Sequence, residues 1–130
     1  MIAGVNVLNA AFMVVGAVFF GLLQQLGLSV RCRQSNSEGE YIEWIHDAYG
    51  DVDGVIVNPG AWSHYSYALH DALDVLQVPI VEVHLSNIAE REEWRRHTVI
   101  EDLVAFRVIG KGPEGYREAL EYLAAQDQGQ

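Results

Sequence analysis

Along the chain, short unbroken apolar runs alternate with stretches whose apolar residues recur at helical spacing. Ile2 to Leu8 (IAGVNVL) predicts a buried strand ended by Asn9, and Ala11 to Leu26 a helix closed by Gly27 as C-cap. Ser29 to Arg33 (SVRCR) reads as a second strand. Ser37 to Tyr49 follows as an amphipathic helix, with Tyr41, Ile42, Trp44 and Ile45 on its apolar side and Gly50 at its end. Gly54 to Val57 is a third strand, stopped by the turn signal Asn58-Pro59-Gly60. Ser63 to Leu76 reads as helical, and Pro79 opens a fourth strand, Ile80 to His84. A short helix around Ala89 to Arg95 and an apolar strand near Leu103 to Ile109 come next. Gly110 and Gly112 form a loop, and Pro113 suits the first turn of a last helix, Glu114 to Ala125.

Apolar strands alternating with helices indicate a parallel sheet covered on both faces. Right-handed crossovers make the expected fold α/β, a three-layer flavodoxin-like sandwich with a five-stranded parallel sheet in the order 2-1-3-4-5. Residues 1–125 form one domain, and only the tail Gln126 to Gln130 reads as disordered. Ligands of such sheets sit beyond the carboxyl ends of the strands. This rule puts Asn9, Gln34 to Asn36, Asn58 to His64, His84 to Asn87 and Gly110 to Gly112 along one rim, where the polar residues gather.

Length and charge narrow the partners. The 130 residues suffice for one core and not two, and half of them are hydrophobic. A net charge of -10 argues against nucleic acid, whose phosphates require clustered Lys and Arg. Cys32 is the single cysteine, so the chain holds no internal disulfide and no thiolate metal cage, and a reducing cytoplasm fits. Met1 to Val30 carries no charge, yet lacks the positive segment of a secretory signal. The apolar run Ala10 to Leu23 is shorter than the ~20 residues a membrane helix needs, so a membrane anchor is disfavoured.

The chemistry-bearing stretches are Arg33-Gln34-Ser35-Asn36, Asn58-Pro59-Gly60-Ala61, Ser63-His64 with Asp71 two turns on, Glu82-Val83-His84-Leu85-Ser86-Asn87, and Arg91 to His97. An imidazole moves protons near neutral pH, an Arg fork matches a carboxylate, and a helix start after Ser86 would offer N–H groups to an anion. The bland alternative for His84 is a hydrogen-bonded structural histidine at a strand end. His46, His70 and His97 read as structural or solvated. Glu82 and His84, taken to leave their strand in opposite directions, argue against a metal site.

RQSN…GE…WIH, NPGA…SH, P.VEVHLSNI..RE..R.H and the late G..GY resemble type II 3-dehydroquinate dehydratase, in order and spacing, from about Gly27 to Leu123. This resemblance implies a lyase of the shikimate pathway acting on a small-molecule substrate without a cofactor. It implies that His84 is the general acid, with Glu82 influencing its surroundings. It further implies that Asn58 holds substrate and the enolate-stabilising water, and that His64, Leu85, Ser86 and Arg95 grip ring hydroxyls and carboxylate. Asp71 matches an aspartate that reaches a neighbouring subunit's site, so a homo-oligomer, trimer or dodecamer, is implied as well.

Two departures stand out. The family's first strand runs into a glycine-rich lid carrying an arginine and the tyrosine base, whereas here Asn9-Ala10-Ala11 leads straight into the helix, and Ser37 replaces a usual histidine. Tyr65 and Tyr67, beside His64, are packing residues or a substitute base. The first helix is also apolar all round, so Phe12, Met13, Val15, Phe19, Phe20 and Leu23 are expected to include residues that meet another subunit or line a pocket wall. Three functions follow: a weak or altered dehydroquinase-type lyase, the same fold repurposed for elimination or cyclisation of a larger apolar substrate, or a non-catalytic relative that binds a ligand or subunit.

Overall fold

The computed structural model describes residues 4–9 and 20–128, with side chains from Gly21 to Gln126. Its strands are β1 (Gly4–Asn9), β2 (Ser29–Gln34), β3 (Gly54–Asn58), β4 (Ile80–His84) and β5 (Phe106–Ile109). All pairings are parallel and run in the order β2-β1-β3-β4-β5. β3 and β4 are buried along their whole length, as a central parallel strand must be when helices cover both faces. The α/β class and parallel sheet stand as the apolar runs indicated.

Alternate strand residues feed two cores. On one face Ile56, Val81, Val83 and Val108 pack with Tyr116, Leu120 and Leu123 of helix α4 (Glu114–Gln128). Leu22, Leu23 and Leu26 of α1 (Phe20–Leu26) lean on this same core. On the other face Val55, Val57 and Ile80 pack with Tyr41 and Ile45 of α2 (Glu38–Ala48) and with Leu69 and Leu73 of α3 (Tyr67–Asp74). Leu23, one of the set expected to include interface or pocket-wall residues, is partly buried against this core. Phe12, Met13, Val15 and Phe19, the side chain of Phe20, and the junction read as lidless lie outside the described residues.

Several boundaries differ from the sequence reading. Ser63 to Leu76 is not one helix: a 3-10 turn (Gly60–His64) precedes α3, because the Ser66 hydroxyl caps α3 by accepting from the Leu69 N–H at 3.0 Å. The helix expected around Ala89 to Arg95 is two 3-10 turns, Ile88–Glu90 and Glu93–Arg95. Leu103 belongs to a further 3-10 turn, so β5 starts at Phe106. The last helix runs to Gln128, into the stretch read as a disordered tail.

The β5–α4 connection fixes the rim. Gly110 N–H donates to the His84 carbonyl at 3.1 Å and Gly112 N–H to that of Leu85 at 3.0 Å. Gly110 has φ +76°, and a Cβ there would meet Asn87 Cβ at 3.0 Å, so glycine is required.

Candidate active site

Parallel register brings the ends of β1 and β3 level, pairing Asn9 with Asn58, and β4 ends at His84 beside Ile109. Beyond β3 and β4 lies a cavity of about 200 Å³ lined by Asn58, Gly60, Ala61, His64, His84, Leu85, Ser86, Ile88, Arg91 and Arg95. The structure thus brings together Asn58, His64, His84, Leu85, Ser86 and Arg95. Of the remaining lining residues, Gly60, Ala61 and Arg91 lay in stretches singled out from the sequence but without an assigned role, and Ile88 was missed. For Arg91, membership of the noted Arg91 to His97 stretch was a usable signal.

His84 is buried, and its Nε2 lies 2.6 Å from Oε2 of Glu82, itself fully buried. Strand residues two apart share a face, so these side chains converge, and the opposite directions assumed from the sequence are corrected. Glu82 is one step behind the cavity wall. Its Oε1 lies 3.1 Å from Arg107 Nε and accepts from the Thr98 hydroxyl at 3.4 Å, while Arg107 Nη2 donates to that hydroxyl at 3.2 Å. The carboxylate holds Nε2 as a donor, and the His84 residue itself lines the cavity.

His64 sits above this couple, its ring stacked 6.1 Å from that of His84. Its Nδ1 donates to the His97 carbonyl at 2.8 Å, which makes Nε2 the acceptor of the neutral ring. Burial pushes the His64 imidazole below its usual value, opposed by the His97 carbonyl and reinforced by the charges of His84 and Arg95. A neutral His64 accepts a hydrogen bond from a hydroxyl. The Val99 N–H donates to the Ser63 carbonyl at 2.7 Å, so the strap of residues 97–99 anchors both the turn bearing His64 and the carboxylate behind His84.

Asn58 is held from both faces of the sheet. Its Nδ2 donates to the Tyr116 hydroxyl at 2.9 Å, and its backbone hydrogen-bonds the Tyr41 hydroxyl. Burial pushes the Tyr116 phenol up to about 12 and that of Tyr41 well above its ordinary value, so both are neutral supports. At the mouth, Arg95 lies 4.0 Å over the Trp94 ring, and its Nε donates to Glu92 Oε2 at 2.6 Å. Trp94 also meets the edge of His64, with ring centres 5.3 Å apart. The anion-binding helix start expected after Ser86 is absent: only a three-residue turn follows, and Asn87 already accepts its Ala89 N–H at 3.2 Å.

The remaining expected residues lie apart. Tyr65 and Tyr67 are exposed and not in the lining, and Tyr65 donates to Glu38 at 3.2 Å. Asp71 is also outside the lining, with its side chain 89% exposed. His46 is exposed, His70 pairs with Asp102 and His97 with Glu101, as structural or solvated histidines do.

Fold and site together define a parallel α/β domain whose rim carries an imidazole–carboxylate couple at the wall of a small cavity flanked by arginines. The chain belongs to the class II dehydroquinase family, whose model (Dehydroquinase class II) matches residues 12–124. It is 47% identical over 104 residues to the 3-dehydroquinate dehydratase of Pelotomaculum thermopropionicum, covering 80% of this chain and 72% of that protein. With the 3-dehydroquinate dehydratase of Bacillus subtilis it shares 43% identity over 111 residues, or 85% and 75% of the two chains. The crystal structure of type II dehydroquinase from Propionibacterium acnes superposes with a TM-score of 0.86 at 40% identity, covering 94% of this chain and 98% of that one.

Proposed function

We propose that this chain is a hydro-lyase of the 3-dehydroquinate dehydratase type, eliminating water from a small cyclic hydroxy-acid with His84 as general acid. One observation carries this reading: the buried Glu82–His84 couple opens onto a cavity whose mouth holds Arg91 and Arg95. The names of the relatives point the same way. In the elimination the α-proton passes to a solvent base and its electron pair is held as an enolate. That pair then forms the carbon–carbon double bond as the carbon–oxygen bond breaks, and His84 protonates the departing hydroxyl. Glu82 stabilises the imidazolium that precedes transfer, Arg95 and Arg91 suit the carboxylate, and neutral His64 accepts from a ring hydroxyl.

The cavity's size favours this over the apolar-substrate reading. At about 200 Å³ it is below the ~300 Å³ at which sites for drug-sized ligands begin, and polar groups converge on it. A purely ligand-binding relative would have no use for a charge-compensated imidazole at the cavity wall.

Turnover is weak in this proposal. From Asn9 to Leu26 the sequence holds no arginine or tyrosine to match those of the family's lid, and neither Tyr65 nor Tyr67 lines the cavity to replace its tyrosine. Loss of a positioned base typically costs ~10²–10⁴-fold in rate. Asp71, exposed and away from its own cavity, is free to approach that of an adjoining copy in a homo-oligomer.

The test is formation of the conjugated enone from 3-dehydroquinate, followed by absorbance at high protein concentration. Slow turnover is expected, and His84→Ala is expected to lose at least ~100-fold at a temperature where circular dichroism shows it folded. No turnover above background in the unaltered protein overturns the reading.

A further inference from the structure

Arg107 is a charge in the middle of β5, in register with Glu82 on β4 and on the same face of the sheet. A parallel strand covered by helices has no ordinary place for a guanidinium, because each buried charge costs free energy unless it is paired. Its Nε is buried 3.1 Å from Glu82 Oε1 yet makes no hydrogen bond there, so what joins the two groups is charge. Nη2 meanwhile donates to Thr98, which also donates to Oε1. The other carboxylate oxygen holds His84 Nε2 at 2.6 Å. A half-buried arginine, a buried carboxylate and a buried imidazole thus form a chain ending at the cavity wall, and nothing in an elimination calls for the first member to touch substrate.

We propose that Arg107 is a positioning residue that acts through Glu82 to set how tightly His84 holds its proton. Without Arg107, an uncompensated buried carboxylate would draw the proton onto the imidazole, giving a fully charged but reluctant acid. With Arg107 in place, the carboxylate's negative charge is shared between two cations, and the imidazolium releases its proton more readily. His84 faces Glu82 on its own strand and, through it, Arg107 on β5. Across the cavity it faces His64 from the turn after β3, and Arg91 and Arg95 from the mouth. His64 is held toward its neutral form, and the two mouth arginines share the Glu92 carboxylate, at 3.8 Å from Arg91 Nε and 2.6 Å from Arg95 Nε, which offsets their charge. The Arg107 guanidinium, its Nε 3.1 Å from the Glu82 carboxylate, is the cation placed directly against the couple.

This inference rests on His84 being the acid, but its test does not depend on turnover. The His84 imidazole is titrated by NMR in the unaltered protein and in Arg107→Met, Arg107→Gln and Arg107→Lys. Removing the charge is expected to raise the His84 midpoint by about one pH unit, with Lys restoring most of the shift. If the enzyme turns over, the alkaline limb of kcat moves up by the same amount in Met and Gln, with KM within about twofold. Arg107→Gln keeps a donor near Thr98 and serves if Arg107→Met fails to fold. An unchanged His84 midpoint in Gln or Met, with only a lower melting temperature, overturns the proposal and leaves a structural ion pair. Absence of dehydratase activity in the unaltered protein would remove the lyase reading alone, since the titration still decides whether Arg107 governs His84.

Discussion

Thr98 is fully buried and its single hydroxyl does two jobs, donating to Glu82 and accepting from Arg107. Thr98→Val keeps the shape and removes the oxygen, leaving a carboxylate oxygen and a guanidinium N–H without that partner. The expected cost is about 1–3 kcal/mol, read by urea denaturation; a change within ~0.5 kcal/mol would show that the hydroxyl is dispensable. At this scale the sequence revealed several groups that line the cavity. His84 and Asn58 carry recognisable chemistry at strand ends, and His64 and Arg95 in the turns beyond them. It did not reveal Thr98 or Arg107, whose importance lies in contacts between segments far apart in sequence, although a lone arginine inside the apolar run Phe106–Ile109 was a visible anomaly. Nor did it reveal that Asn58 is clamped by Tyr41 and Tyr116 from opposite faces.

Among the elements, α3 is tied to the turn Glu101–Leu103 by His70, whose Nε2 lies 3.0 and 3.2 Å from the two oxygens of Asp102. That hydrogen bond raises the His70 imidazole above its ordinary value and lowers the Asp102 carboxyl below its own. A histidine raised on folding stabilises fully below its unfolded value of about 6.5, and the contribution fades as pH climbs through the folded value. The aspartate's share is present above about 3.8 and fades as pH falls through its lowered folded value. Accordingly His70→Gln is expected to lower the melting temperature at about pH 6 and to have little effect near pH 9. An equal deficit at both pH values would contradict a charged pair. Strands were legible because buried parallel strands read as apolar runs. The pieces between them were less so. Residues 89–95 are almost all charged or small and offer a helix no apolar face, so they fold as tight turns. Ser66 interrupts what periodicity alone reads as one helix.

Over the whole molecule, a two-faced sheet supplies rigidity and its rim supplies chemistry. Both cores end where the cavity begins, so the side chains lining it are backed by packed residues. The class of fold followed from the alternation of runs, and the location of the site from a general property of open parallel sheets. What composition could not give is the company of the apolar first helix. Its described end, Leu22 to Leu26, packs on its own chain. The most direct measurement is a crystal soaked with the dehydration product, 3-dehydroshikimate. Ligand density is expected between β3 and β4, within hydrogen-bond reach of His84, His64 and Arg95, with Asp71 of an adjoining copy at the cavity mouth. A ligand bound elsewhere, or a saturating soak that leaves the cavity beside His84 to solvent, would contradict the assignment.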